Sequence, residues 1–167
     1  MFMDRPLAYL ITFSCYGSHL HGSEKGSVDR NHNLKGGRYL ASEPGLVRAK
    51  EERMHGPSYA LDDEKRGIVL AAIRQVCTHR EWTLIAAHVR MNHVHVVVAA
   101  DVVPEVAMQA FKAYASRFLG ERETTRKRWT RHGSTRYLWI GEEVDRAVRY
   151  IVERQGEPMA TYLNTAP

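Results

Sequence analysis

The clearest structural signal in this sequence is a short valine-rich run, Met91 to Val98 (MNHVHVVV). Its β-branched residues predict a β-strand, in which successive side chains point to opposite faces. His93 and His95 therefore share one face, and the alternate valines share the other. The valines suit a buried core. The two imidazoles then stand side by side on the opposite face, close enough to bind one metal ion.

Two imidazoles do not complete a divalent metal site, so a third protein ligand is required. A helix predicted over residues 142–155 carries two candidates, Glu153 and Gln155. Tyr150 precedes Glu153 by three positions, which places the two side chains on neighbouring parts of the helix surface. A phenol beside a metal ion predicts nucleophilic attack on phosphorus. If this helix covers the histidine face, the tyrosine and the metal site meet there.

Composition indicates the partner and the compartment. The net charge of +5 and the pI near 9.4 favour a polyanionic partner, nucleic acid or an acidic surface. No apolar run approaches the roughly 20 residues that span a bilayer. The N-terminus lacks the basic region, apolar core and small-residue cleavage site of a secretion signal. Cys15 and Cys77 lie in apolar contexts without CxxC spacing, which predicts buried free thiols. We therefore expect a cytoplasmic protein with no membrane partner.

A basic segment with interleaved aromatic residues spans residues 122–136. Arginine and lysine can contact phosphates, and aromatic rings can stack unpaired bases. Alternatively, this basic segment is an ordinary solvated loop without a DNA contact. His88 and Arg90 are further candidates for phosphate contacts if they share the face of the histidine pair. The side chains expected to bind DNA are Arg126, Lys127, Arg128, Trp129, Arg131 and Arg136.

The order of the elements predicts an α+β fold of the ferredoxin-like βαββαβ type, with an antiparallel sheet and one further C-terminal helix. We expect a single domain over 1–167, with a long irregular loop inserted at about 17–59. The histidine strand should lie centrally in the sheet. The predicted strands are 7–16, 82–91, 93–98 and 137–140, and the predicted helices are 62–79, 104–119 and 142–155. Alternation in the second strand places on one face Trp82, Leu84, Ala86, His88 and Arg90.

These residues resemble a known family. The His-hydrophobic-His strand resembles the HUH motif of the single-tyrosine transposases, of the insertion-sequence and REP-associated kind. The helix around Tyr150 (VDRAVRYIV) resembles the catalytic-tyrosine helix of that family, and Tyr9 to Phe13 (YLITF) is similar to its first strand. The resemblance covers most of the chain except the 17–59 loop and the C-terminal tail.

The resemblance implies a catalytic chemistry. Tyr150 would attack a phosphodiester of single-stranded or hairpin DNA, which leaves a 5′-phosphotyrosine and a free 3′-OH. The 3′-OH of another strand could then reverse the step and complete strand transfer. Tyr114 also follows the histidines, but it lies on the apolar stripe of a helix that should cover the valine face. We therefore favour Tyr150 as the nucleophile.

The resemblance also implies Mg²⁺ or Mn²⁺, held by His93, His95 and a third side chain. In the family this ligand is usually Gln or Asn four residues after the tyrosine, where this chain has Arg154. Glu153 and Gln155 therefore both remain candidates. Some family members pair the histidines of one subunit with the tyrosine of another, and some act as monomers, so a homodimer and a monomer are both open.

The expected function is that of a metal-dependent transposase that cleaves and transfers single strands of DNA. One alternative is a non-catalytic nucleic-acid-binding module, since ferredoxin-like sheets also stack RNA bases on exposed aromatic residues. The central strand argues against this alternative, because it offers histidine and valine instead. A second alternative is a domesticated REP-type nuclease that no longer transposes.

Overall fold

The computed structural model describes residues 4–18, 58–120 and 127–165. The order of the elements in these residues agrees with the βαββαβ prediction, followed by a further helix and strand. They are β1 (Ala8–Cys15), α1 (Asp63–Arg80), β2 (Thr83–Val89), β3 (His93–Ala99), α2 (Pro104–Gly120), β4 (Trp129–Leu138), α3 (Gly141–Glu153) and β5 (Ala160–Leu163).

The strands form one antiparallel sheet in the order β4-β1-β3-β2-β5. Its first four strands have the ferredoxin-like order, so the predicted fold class is confirmed. The histidine strand β3 lies in the centre, between β1 and β2. In the register, His95 faces Thr12 of β1 on one side and His88 of β2 on the other. These three side chains therefore share one face of the sheet.

The first two helices cover the valine face of the sheet. Val94, Val96 and Val98 are fully buried there, in the larger of two hydrophobic clusters. Helix α1 begins after Asp62, whose carboxylate accepts the Lys65 backbone N–H at 2.8 Å and caps the helix. Burying these side chains removes apolar surface from water, which fixes the orientation of β3 and turns His93, His95 and Val97 to the opposite face.

The third helix packs on the opposite face, as predicted. Ala147 and Ile151 of α3 are buried against Ala8, Val97 and Leu138, in a second and smaller cluster. These sheet residues lie towards one end of β1, β3 and β4. The helix therefore covers this end of the face, and its C-terminal end lies beside His95.

The structure differs from the sequence prediction along the sheet edges. Strand β4 begins at Trp129 and not at Tyr137, and β5 was not predicted. Both are edge strands, and most of the β4 side chains are exposed. An edge strand with little buried surface lacks the alternation of apolar and polar residues by which strands are predicted.

The predicted face assignment of β2 is partly wrong. The β2–β3 register shifts between Leu84 and Ala86, which places a bulge near Ile85. Leu84 consequently joins the core beneath α1 and α2, while Ala86 contacts the cluster beneath α3. A bulge adds one residue to one strand and reverses the faces beyond it.

The expected 17–59 loop lies almost entirely outside the described residues. Its two ends are adjacent, since the Tyr59 backbone N–H donates to the Tyr16 carbonyl at 2.9 Å. Among the helices that the structure describes, none is long and apolar enough to cross a membrane.

Candidate active site

The two histidines of β3 are held in defined orientations. Their ring centroids are 4.8 Å apart. His95 Nδ1 lies 2.8 Å from the Thr12 hydroxyl, and His93 Nδ1 lies 2.6 Å from Asn92 Oδ1. Because an amide oxygen only accepts, His93 Nδ1 carries a proton, and in the neutral ring Nε2 then carries the lone pair. An imidazole whose Nδ1–H is bound by a neighbouring oxygen is the usual form of a metal-ligating histidine.

His95 carries the strongest signal of an absent ligand. Its side chain is buried, and its Nε2 has no hydrogen-bond partner among the described residues. Burial, followed by the charge of His93, lowers the pKa of His95 to about 3, so the imidazole is neutral. An unpartnered buried nitrogen costs about 1–3 kcal/mol. A metal ion bound at Nε2 would remove that cost, so these residues fit the ion that the resemblance implies.

Tyr150 lies beside this histidine. Its ring centroid is 5.9 Å from that of His95, with the ring planes at 73°. Ala147 and Ile151 anchor the buried side of α3, which leaves Tyr150 at the margin with 45% of its surface exposed. The Tyr150 ring is therefore next to His95 and accessible to a substrate from solvent.

The two candidate third ligands occupy different environments. Helix α3 ends at Glu153, so the helical spacing that favoured Glu153 does not extend to Gln155. The chain turns back there, and the Gln155 amide donates to the Tyr150 carbonyl at 3.3 Å. The Gln155 side chain also lies near enough to His95 to raise its pKa, while His95 Nε2 has no hydrogen-bond partner among the described residues.

Glu153, in contrast, is exposed. In the described parts of the chain, no group of three His, Cys, Asp or Glu side chains is placed to hold a metal ion. Glu153 therefore does not join the two histidines. Of the two candidates, Gln155 is the one whose side chain interacts with His95.

His88 and Arg90 stabilise the region around the C-terminal end of α3. His88 is fully buried, its Nδ1–H donates to the Ile151 carbonyl at 2.6 Å, and its Nε2 accepts the Met159 N–H at 3.1 Å. Burial lowers the pKa of His88, which favours the neutral ring that these bonds require. Arg90 donates to the Glu157 carbonyl at 3.0 Å. His88 therefore cannot contact a phosphate, contrary to expectation, and both residues fix the end of α3.

Two of the expected DNA-binding residues are buried. Trp129 packs edge-on against Phe13, with ring centroids 5.2 Å apart, and its indole N–H donates to Ser116 at 2.8 Å. Its ring cannot stack on a base from this position. Arg128 is also buried. The aromatic content of the basic segment indicated DNA binding, but this indole completes the core.

The remaining members of the set differ in location. Lys127, Arg131 and Arg136 are exposed. Arg136 pairs with Leu10, two positions from Thr12, and so lies on the face of the histidine pair. Arg126 lies outside the described residues. Tyr114 packs against the core beneath α2, on the opposite face of the sheet from His95.

Comparison with known proteins defines the class. Residues 58–153 match the family model described as "Transposase IS200 like". The match covers more than half of the chain, so the chain belongs to the IS200-like transposase family, as the resemblance indicated. Membership indicates a DNA-processing enzyme and does not favour a non-catalytic binding module. Transposases of this family generally use a divalent metal ion.

A solved structure with the same fold is described as the "REP associates tyrosine transposase bound to a REP hairpin". It is 11% identical to this chain, with a TM-score of 0.51. The alignment covers 92% of this chain and 69% of that chain. No curated protein matches the sequence.

Proposed function

We propose that this protein is a metal-dependent transposase that cleaves and transfers single strands of DNA, with Tyr150 as the nucleophile. The observation that carries the proposal is the contact between the exposed Tyr150 ring and His95, whose buried Nε2 has no protein partner among the described residues. The family match and the hairpin-bound structural neighbour support hairpin or single-stranded DNA as the substrate.

In the proposed reaction, Tyr150 Oη forms a bond to phosphorus and loses its proton to water. The bond from phosphorus to the 3′-oxygen breaks, and that oxygen takes a proton to become a free 3′-OH. Attack by another 3′-OH on the phosphotyrosine reverses these steps and restores the phenol. The number of phosphodiester bonds is conserved, so no nucleotide cofactor is needed.

We assign the metal site to His93, His95 and Gln155. Mg²⁺ or Mn²⁺ bound there would polarise the scissile phosphate and reduce its charge. Thr12 and Asn92 contact the two imidazoles at Nδ1, and the Gln155 amide, which donates to the Tyr150 carbonyl, lies near enough to His95 to raise its pKa. These contacts position the ligands before the DNA arrives.

We infer that Tyr150 acts together with the histidines of its own chain. Only Trp139 and Ile140 connect β4 to α3, and β5 beyond the helix pairs with β2. The bond from His88 to the Ile151 carbonyl ties the helix to the sheet between these two connections. A monomer is therefore sufficient for catalysis. The adjacent ends of the 17–59 segment also support one domain with an insertion.

A cleavage assay tests the proposal, with stem-loop DNA, Mn²⁺ and detection of the covalent protein–DNA adduct. Tyr150→Phe should form no adduct, whereas Tyr137→Phe, at a tyrosine with the same 45% exposure, should react like the wild type. His95→Ala should lose metal-dependent cleavage. An adduct in Tyr150→Phe would refute the choice of nucleophile.

Mixing the two inactive variants tests whether the site lies within one chain. His95→Ala retains Tyr150, and Tyr150→Phe retains both histidines. If the site is formed by one chain, the mixture stays inactive at every protein concentration. Recovery of adduct in the mixture would mean that the tyrosine is contributed by a partner subunit.

A further inference from the structure

A buried lysine on the side of the sheet that α1 and α2 cover has no part in the proposed reaction. Lys112 of α2 is 7% exposed. Its Nζ lies 2.9 Å from the Thr130 carbonyl oxygen, 3.4 Å from that of Arg131 and 3.3 Å from that of His132. An ammonium has three N–H donors, so the three consecutive carbonyls of β4 use all of them.

These carbonyls belong to a bulge in β4. Phe13 of β1 pairs with Gly133, and Cys15 pairs with Trp129. Ser14 alone therefore stands opposite three residues of β4, 130–132. A Cβ on Gly133 would collide with Met108 Sδ and with the Thr12 carbonyl, so only glycine fits there. Helix α2 thus fixes the bulge twice, one turn apart, at Met108 and Lys112.

The carbonyl directions determine where the amide groups point. In a trans peptide, the N–H of one residue points opposite to the carbonyl of the residue before it. The described residues contain no cis peptide bonds. With three carbonyls directed to Lys112, the N–H groups of Arg131, His132 and Gly133 point away from α2. Successive N–H groups turned to one side form an anion-binding concavity.

The surroundings of the bulge suit a phosphate. Arg131 and His132 are exposed at the edge of the sheet, and β4 contains no Asp or Glu. The Lys112 ammonium adds positive charge from beneath. Ser14, which faces the bulge, pairs on its other side with His93. Two strand spacings, about 10 Å, therefore separate the bulge from the proposed metal site. A DNA strand bound at the histidines would bring a phosphate other than the scissile one to the bulge.

We propose that the β4 bulge at 130–132 is a main-chain cradle for a non-scissile DNA phosphate, and that Lys112 is the positioning residue that shapes it. The identification of the anion as DNA rests on the proposed function. The cradle itself rests on the hydrogen bonds of Lys112 and on the β1–β4 register. Helix α2, which the sequence assigned only to the core, thereby contributes to substrate binding.

The first test uses inorganic phosphate as the probe and needs no variant. Amide NMR signals of Arg131, His132 and Gly133 should shift in wild-type protein as phosphate is added, and the shifts should saturate. Lys112→Met, which keeps the length of the side chain but cannot donate, should lose these shifts. Unshifted amides in the wild type would overturn the proposal, whether or not the variant folds.

The second test identifies the anion and uses Tyr150→Phe protein, which cannot cleave. Hairpin DNA carrying one neutral methylphosphonate linkage is scanned position by position. One non-scissile position should weaken binding about tenfold, the equivalent of one charge-assisted contact. Lys112→Met should remove this positional sensitivity. Lys127→Met, at an exposed lysine, should lower affinity while keeping the sensitive position.

The outcomes separate this inference from the proposed function. A sensitive position that disappears in Lys112→Met supports the cradle even if the wild type forms no covalent adduct. A scan without a sensitive position overturns the cradle as a DNA site, even if Tyr150 is shown to be the nucleophile. A sensitive position that persists in folded Lys112→Met overturns the role of the lysine.

Discussion

The hydrogen bond between Thr12 and His95 should control metal affinity without itself contributing a ligand. Thr12 Oγ1 and His95 Nδ1 are 2.8 Å apart on the neighbouring strands β1 and β3. Thr12→Val keeps the shape of the side chain and removes only the hydroxyl. In the tautomer that leaves Nε2 able to bind a metal ion, His95 Nδ1 carries the proton. In Thr12→Val this N–H has to stay buried without its acceptor, and the imidazole loses the contact that orients its Nε2.

The size of the expected effect of Thr12→Val follows from the burial of His95, which is 4% exposed. Leaving a buried donor unsatisfied costs about 1–3 kcal/mol, which should appear as a lower free energy of unfolding. A bound cation polarises the imidazole and strengthens the bond from Nδ1–H to its acceptor. Loss of such an outer contact typically lowers metal affinity about 10- to 100-fold.

Two measurements test this prediction. The dissociation constant of Mn²⁺ can be obtained from the free-ion signal in electron paramagnetic resonance, without any need for cleavage. Urea titration gives the free energy of unfolding. Ser134→Ala is the matched control, because Ser134 pairs with Thr12 from the other side and is exposed. Mn²⁺ affinity in Thr12→Val equal to that of the control would refute the reasoning.

Three further predictions concern the ligand, the core and the thiols. Gln155→Ala should raise the Mn²⁺ concentration needed for cleavage at least about tenfold, while Glu153→Ala should not; the reverse result would exchange their roles. Trp129→Phe should lower the free energy of unfolding by about 1–3 kcal/mol in urea titrations, yet leave affinity for single-stranded DNA unchanged, because the indole is buried. Burial raises the pKa of Cys15 and Cys77 to about 12, from 9.0. The unfolded thiols ionise first, so the free energy of unfolding should fall as pH rises from about 9 towards 12. Replacing both cysteines by alanine should reduce that decline; an equal decline would contradict the assignment.

The position of the central strand could be predicted from the sequence. Strand β3 is a run of β-branched residues that only a central position can bury, so its location and the direction of its histidines followed from alternation alone. The helix carrying Tyr150 was recognisable because its sequence resembles the catalytic-tyrosine helix of the family, and the structure has α3 at these positions. Sequence also favoured Tyr150 over Tyr114, and the structure places these two residues on opposite faces of the sheet.

The environments of individual side chains could not be predicted from the sequence where tertiary contacts override the local pattern. Trp129 lies among arginines, yet it is buried, because Phe13 and Ser116 lie next to it in the fold. Gln155 appeared out of phase, because helical spacing was extended past the point where α3 ends. The carbonyls of the β4 bulge bond to Lys112, which is distant from them in sequence, and no local rule predicts such a bond.

The chemical site of the DNA adduct tests the central claim most directly. Wild-type protein is incubated with stem-loop DNA and Mn²⁺ and digested with protease, and the nucleotide-bearing peptide is sequenced by mass spectrometry. The account predicts a 5′-phosphate attached to Tyr150, with metal required and with none formed in His95→Ala. An adduct on Tyr114 or on another residue, or an adduct on Tyr150 that forms equally well without metal, would contradict it.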